Sequence, residues 1–343
     1  KFVENPFTPQ AKFNMKKFYQ ATYEGQRLMD DLVDLEVEAI ERILNKVDTD
    51  DEPESIKMVE KETWELLLKT GKEGRRTGLG FTALADMVAA LGYKYDSDES
   101  IEFIENMMRE KCRAEFDCSI DMSLERGSFI GFNKEIEDTS EFVQMLKLEL
   151  PEVYKRMMKF GRRNISISTV APTGTLSMLA QTSSGIEPVF MTDYKRRRKL
   201  NEQDTEEKVD FIDDMGDKWQ EFTVYHHNLK EWINITGEKD MTKSPYYGAT
   251  APEINWIKRV EMQSAVQKYV THSISSTINL PNDVSLEKVS EIYLDSWHKG
   301  LKGITVYRDG SRSGVLVSAD EKKDDVLENS EFKETKAPSR AKR

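Results

Sequence analysis

The stretch Ala171-Pro172-Thr173-Gly174-Thr175-Leu176-Ser177 is where this sequence could do chemistry. The residues before it, Asn164 to Ala171, alternate apolar with small polar side chains and read as a strand. Pro172 and Gly174 then make a tight turn, and a helix is expected to begin around Leu176. A helix N-terminus presents unpaired backbone N–H groups and partial positive charge. Gly174 allows close approach of the backbone to a ligand, and the hydroxyls of Thr173, Thr175 and Ser177 can donate to oxygens. Together these suit a phosphate. The Gly-Lys-Ser/Thr ending of a P-loop is missing, and a plain helix N-cap accounts for the same residues equally well.

Other chemistry-bearing residues are weaker candidates. Cys112 and Cys118 fall six residues apart on one expected helix, so they point to different faces and are expected to pack. His226, His227, His272 and His298 show no metal-ligand spacing, and no metal site is expected. The basic run Lys195-Arg196-Arg197-Arg198-Lys199 is either a solvated edge or a contact for nucleotide phosphate. Trp219, Tyr225, Trp232, Tyr246 and Tyr247 are expected to pack within an inserted segment. Glu187 and Arg308 lie near strand ends, where a role at a ligand and a structural ion pair are both open.

The elements that must position the turn are mostly helical. Apolar residues recur at helical spacing from Phe13 to about Val47, through Leu28, Leu32, Leu35 and Ile40. Pro53 ends that run, and a second helix is expected to Thr70, a third over Thr77–Leu91 and a long fourth after Ser97. Further helices are expected near Lys218–Ile235, Pro252–Val270 and Leu286–His298. Strands are expected at Ser275–Leu280 and Gly303–Tyr307. The order strand, helix, strand implies parallel pairing through a crossover. Residues 193–255 read as an insertion, and 316–343 as a polar tail unable to bury enough apolar surface to fold alone.

Composition narrows the class. The 343 residues carry 50 Lys and Arg against 62 Asp and Glu, a net charge of −12, which argues against a nucleic-acid binder. No apolar run approaches the roughly 18 residues of a membrane span. Two cysteines make no disulfide framework, so a cytoplasmic protein is expected, without membrane or nucleic-acid partners. The opening at Lys1 and the polar end suggest a fragment.

Four ordered blocks carry a family resemblance. Ala171 to Ser177, followed by Ser183-Ser184-Gly185-Ile186-Glu187-Pro188-Val189-Phe190, resembles the substrate-phosphate loop of ribonucleotide reductases. Arg75 to Asp86 with Leu91 to Asp96 is similar to a helix of that family's barrel shell. Thr277 to Asp283 and Lys302 to Arg312 resemble its late strands. The resemblance implies an α/β fold, the C-terminal part of a ten-stranded barrel over residues 1–315. It also implies reduction of a ribonucleoside di- or triphosphate by a thiyl radical, as in a ribonucleoside-diphosphate reductase. The phosphates would be held by Pro172, Thr173, Gly174, Thr175, Leu176 and Ser177, with Glu187 and Arg308 in a second tier.

Neither cysteine sits in the family's catalytic context, so the resemblance places the catalytic cysteines upstream of Lys1 and leaves this chain inactive alone. Thr305 and Val306 stand where reductases with a separate radical subunit resemble one another in carrying adjacent tyrosines. The last strand instead resembles the adenosylcobalamin-dependent class. An N-terminal half of the reductase and an external dithiol such as thioredoxin are the implied partners. The alternatives are a non-catalytic half of a split reductase, a nucleotide-binding module, and a reductase served by a metal radical subunit.

Overall fold

A computed structural model describes residues 2–200, 209–212 and 218–311, and the expected tail over 316–343 lies outside them. The chain divides into two units, the first formed by Lys1–Thr192 and Tyr225–Ser311, the second including Asp193–Val224. The first unit opens with a short antiparallel pair, β1 (Val3–Glu4) and β2 (Lys12–Phe13). Eight helices follow: α1 (Met15–Thr49), α2 (Glu54–Gly74), α3 (Leu84–Ala90), α4 (Asp98–Arg126), α5 (Lys134–Glu137), α6 (Glu141–Glu149), α7 (Pro151–Phe160) and α8 (Gly174–Ala180). In the second unit, β3 (Asp193–Lys199), β4 (Phe211–Ile212) and β5 (Lys218–Tyr225) form a sheet in the order β3-β5-β4. The first unit resumes with α9 (His227–Thr236), α10 (Trp256–Gln267), β6 (Thr277–Leu280), α11 (Leu286–His298) and β7 (Thr305–Arg308).

Caps set the long helices. The Asn14 side chain accepts from the Lys17 amide at 2.9 Å to start α1, and Ser97 accepts from Ser100 to start α4. Helix α4 is the hub of the core: α1, α7 and α10 all pack on it. It buries Ile104, Met108, Cys112, Phe116 and Ile120 along one face. The buried line of α1 differs from expectation. It runs through Phe18, Thr22, Gln26, Asp30, Val33 and Ile40, whereas Leu28, Leu32 and Leu35 are exposed. Polar contacts, described below, decide which face of α1 turns inward.

Four extended segments run side by side in sequence order, all parallel. Thr77 and Leu79 amides donate to Ser166 and Ile167 carbonyls at 3.0 and 2.9 Å, with Leu79 paired to Ser168. Val170 pairs with Ile274, and β6 pairs with β7 from Thr277↔Thr305 to Leu280↔Arg308. The crossover over α11 is as expected. Two expectations fail. Thr77–Leu91 is not one helix: residues 77–79 are extended, and α3 starts only at Leu84. Pairing with 166–168 overrides local preference there, and Gly80 permits it, since a Cβ would lie 2.9 Å from the Thr169 carbonyl oxygen. Lys218–Ile235 is likewise a strand, β5, and then a helix, α9, rather than a single helix.

The segment starts are fixed by a buried polar network on α1. Asp30, fully buried, accepts at Oδ1 from Arg75 Nε (2.8 Å) and Asn164 Nδ2 (2.9 Å). Its Oδ2 accepts from Arg126 (3.2 Å) and Arg163 (3.3 Å). Burial acts to raise this carboxyl, yet Arg75, Asn164 and Arg163 hold it below its ordinary value.

Two stability predictions follow from this packing. Asp30→Ala leaves buried Arg75 without its main partner and is expected to cost about 3–5 kcal/mol by urea unfolding. Lys61→Ala, which breaks an exposed pair with Asp48, should leave the midpoint unchanged, and equal losses would contradict the buried-network account. Gly80→Ala should destabilise by about 1–3 kcal/mol. Gly71→Ala, where a Cβ meets nothing within 4 Å, should stabilise by about 0.4–1 kcal/mol, and the reverse order would refute the close-approach argument.

Candidate functional site

The segment 165–170 ends at the exposed Ala171 and Pro172, and Thr173 is the N-terminal cap of α8. The first bond inside the helix runs from the Ser177 amide to the Thr173 carbonyl at 2.7 Å. The amides of Gly174, Thr175 and Leu176 therefore precede any acceptor within the helix. A Cβ built on Gly174 would meet nothing within 4 Å, so the turn is open on that side. Unpaired backbone donors of this kind can receive an anion.

The hydroxyls are deployed differently from the sequence expectation. Thr173 Oγ1 accepts from the Gly185 amide at 2.9 Å and lies 3.1 Å from Ser184 Oγ. Ser177 is buried, and its Oγ donates to the Gly174 carbonyl at 2.8 Å. Both serve the turn's own structure. Of the three hydroxyl-bearing residues, Thr175 is the exposed one, and Leu176 is 56% exposed beside it.

The second-tier residues separate. Glu187 pairs with the buried Arg259 and accepts from the Thr277 amide at 2.9 Å, tying the loop after α8 to β6. Burial pushes its carboxyl up against the opposing pull of Arg259. The structural ion pair is the arrangement present. Arg308 is exposed on β7, in register with Leu280. Side chains of Tyr194–Lys199 lie outside the described residues, so the basic run is placed only as the backbone of β3. Cys112 and Cys118 are free and buried. Burial raises both thiols, that of Cys118 to about 12. Among the described residues no His, Cys, Asp and Glu cluster could hold a metal ion.

A cluster that sequence reading missed lies behind the turn. Asp86, on α3 and 5% exposed, accepts from the Ser183 amide at 2.6 Å, from Tyr246 Oη at 2.8 Å, and from His226 Nε2 at 2.7 Å. Burial acts to raise the Asp86 carboxyl, but His226, the Ser183 amide and Tyr246 hold it below its ordinary value. An ionised carboxylate only accepts, so the Nε2 proton belongs to His226. The one signal in the sequence was an aspartate inside the otherwise apolar Leu84–Ala90 helix.

The family model of the ribonucleotide reductase barrel domain matches residues 1–307. The chain belongs to the ribonucleotide reductase family. A vitamin B12-dependent ribonucleoside-diphosphate reductase of Mycobacterium tuberculosis is 32% identical over 71% of this chain and 33% of that protein. One from Thermoplasma acidophilum is 30% identical over 74% of the chain and 31% of its own length. A vitamin B12-dependent ribonucleotide reductase of Streptomyces clavuligerus is 22% identical over 96% and 37%. The chain thus spans about a third of the length of the curated relatives it matches. Within this reductase barrel domain, the Pro172–Ser177 turn sits at the carboxyl end of a parallel strand, where open α/β sheets bind ligands.

Asp86 gives a signed pH prediction. A carboxyl depressed on folding contributes stability present above its unfolded value of about 3.9 and lost as pH falls through the lower folded value. Asp86→Asn should therefore lower urea stability by about 1.5–3 kcal/mol at pH 7. Its deficit against the parent should shrink as the pH drops below about 4. A deficit of the same size at pH 7 and pH 3 would sink the assignment of Asp86 as an ionised acceptor.

Proposed function

We propose that this chain is the C-terminal part of the catalytic barrel of a ribonucleotide reductase, and that its Pro172–Ser177 turn holds the substrate's phosphates. The observation that carries this is the set of three open amides, Gly174, Thr175 and Leu176, at the end of a parallel strand. The phosphates would be bound by those amides and the Thr175 hydroxyl, with Thr173 and Ser177 shaping the turn from within. The four parallel segments supply part of a ten-stranded barrel, whose next strand would pair along the edge at residues 76–80.

In the reaction proposed, a cysteine thiyl radical takes the 3′ hydrogen of a ribonucleoside di- or triphosphate. The 2′ hydroxyl leaves as water, and a cysteine pair supplies two electrons, later restored by an external dithiol such as thioredoxin. Buried Cys112 and Cys118, with thiols raised by burial, fit neither role. We assign the reacting cysteines to the rest of the enzyme. The relatives' dependence on vitamin B12 supports adenosylcobalamin as the radical source, and β7 offers Thr305 and Val306, which cannot relay a radical as tyrosines do. The cavity between β1, α1 and residues 79–84 measures about 650 Å³. That volume suits a drug-sized ligand, and we assign no residue of this chain to the cofactor.

Two measurements test the reading. Gly174→Val places a side chain on the open side of the turn, where a Cβ meets nothing within 4 Å, and is expected to weaken ADP binding about tenfold or more by calorimetry, about 1.4 kcal/mol, at unchanged melting temperature. Parent-like affinity would remove the turn from the phosphate site. Ribonucleotide reduction should require this chain, the remainder of the reductase and adenosylcobalamin together. Activity with an added radical subunit in place of cobalamin would keep the family and overturn the class.

A further inference from the structure

We propose that His226 is a positioning residue for the phosphate-binding turn, acting through Asp86 and the Ser183–Gly185 loop. The inference rests on the reading of that turn given above and extends it to a residue far from it in sequence.

The chain of contacts is short and continuous. His226 caps α9, where the first unit resumes after the excursion that begins at Asp193. Its backbone amide donates to the Thr192 carbonyl at 2.8 Å, which pins the two ends of the excursion together. Its ring Nε2 donates to Asp86 Oδ1 at 2.7 Å, while Asp86 Oδ2 accepts from the Ser183 amide at 2.6 Å. The Ser183 carbonyl in turn accepts from the Ala83 amide at 2.9 Å and from Thr82 Oγ1 at 2.7 Å. Two residues on, the Gly185 amide donates to Thr173 Oγ1 at 2.9 Å, and Thr173 is the cap of α8. The imidazole is therefore linked to the cap of the anion-binding helix through one carboxylate and one three-residue loop.

Further bonds hold this loop, from the Asp86 amide to Ser183 Oγ at 3.3 Å and from the Glu187 amide to the Ser184 carbonyl at 2.8 Å, but the Asp86 carboxylate is the acceptor of the Ser183 amide. Gly185 adopts φ +50, a left-handed conformation that favours glycine, and a Cβ there would lie 3.3 Å from the Ala171 carbonyl oxygen. Such a conformation persists when surrounding bonds over-determine it, and the Asp86–Ser183 bond is one of them. His226 and Tyr246 both donate to Asp86 Oδ1, and the two rings meet edge-on with centroids 5.7 Å apart. Removing the imidazole leaves Asp86 buried with a donor missing, so the carboxylate must shift or take up a proton. Either change weakens its hold on Ser183.

The test uses the 343-residue chain with His226→Phe, which deletes the donor, and His226→Gln, which returns an N–H near the Nε2 position. The first readout is amide hydrogen exchange without ligand. His226→Phe should speed exchange at Ser183 and Gly185 about tenfold, and His226→Gln should restore it to within a few-fold. The second is ADP affinity, expected to fall about tenfold in His226→Phe and to recover in His226→Gln. A general loss of stability would move the melting temperature of both variants together and would not be rescued by glutamine. Unchanged exchange at Ser183 and Gly185 overturns the proposal, as does faster exchange with parent-like ADP affinity. A parent chain that binds no ADP condemns the phosphate reading instead, because the exchange readout needs no ligand.

Discussion

The first unit is organised by a carboxylate with no access to water. Asp30 lies in the middle of α1, and its two oxygens collect Arg75, Asn164, Arg126 and Arg163. A buried charge is costly unless every lone pair finds a donor, so these partners cannot drift independently. Arg75 ends α2 in a left-handed conformation, φ 47, and opens the first extended segment. Asn164 opens the second, and also donates to the Arg75 carbonyl at 3.1 Å. The network thereby fixes the register in which 77–79 meets 166–168. A slip of one residue would turn every side chain to the opposite face, and would move the Pro172–Ser177 turn with it.

A second buried carboxylate, Asp86, governs the other end of the same segments. Asp30 sits where the strands begin, and Asp86 where the loops following them gather. The division matches a general property of parallel α/β architecture: the amino ends of strands carry stability, while the carboxyl ends carry ligand chemistry. Glu187 adds a third tie at that end, joining the loop after α8 to Arg259 of α10 and to the start of β6. The candidate turn is thus held by side chains from α3, α9 and α10, all distant from it in sequence.

That distance explains what the sequence could and could not disclose. The long helices α1 and α4 were legible because apolar spacing, and at α4 the cap Ser97, are local signals. The parallel pair β6–β7 was legible because a crossover helix of ordinary length separates two β-rich runs. The span 77–83 was misread because apolar positions continue from α3 at near-helical intervals, and the pairing that extends it lies about ninety residues away. The inward face of α1 was misread for a related reason: Gln26 and Asp30 look solvent-facing until Arg75 and Asn164 are placed beside them. At the candidate site the turn itself was readable, since Pro172, Gly174 and three hydroxyl residues fall within the six positions 172–177. The use of its hydroxyls was not, because Thr173 is claimed by Gly185 and Ser177 by its own helical turn.

The same deployment bears on how such a turn would recognise an anion. No lysine or arginine occurs between Arg163 and Lys195, and the chain as a whole carries a net charge of −12. A phosphate at α8 would meet amide dipoles and one hydroxyl, flanked by the exposed apolar side chains of Leu176, Met178 and Leu179. Amide dipoles are strong partners for charge only when they converge and need not reorganise, and apolar neighbours strengthen them by lowering the local dielectric. A lysine can follow a displaced phosphate on its flexible stem; three amides in one helical turn cannot. Recognition built this way depends on where the turn is held, which is why the buried polar clusters around Asp30, Asp86 and Glu187 matter to it more than the sign of the surrounding surface.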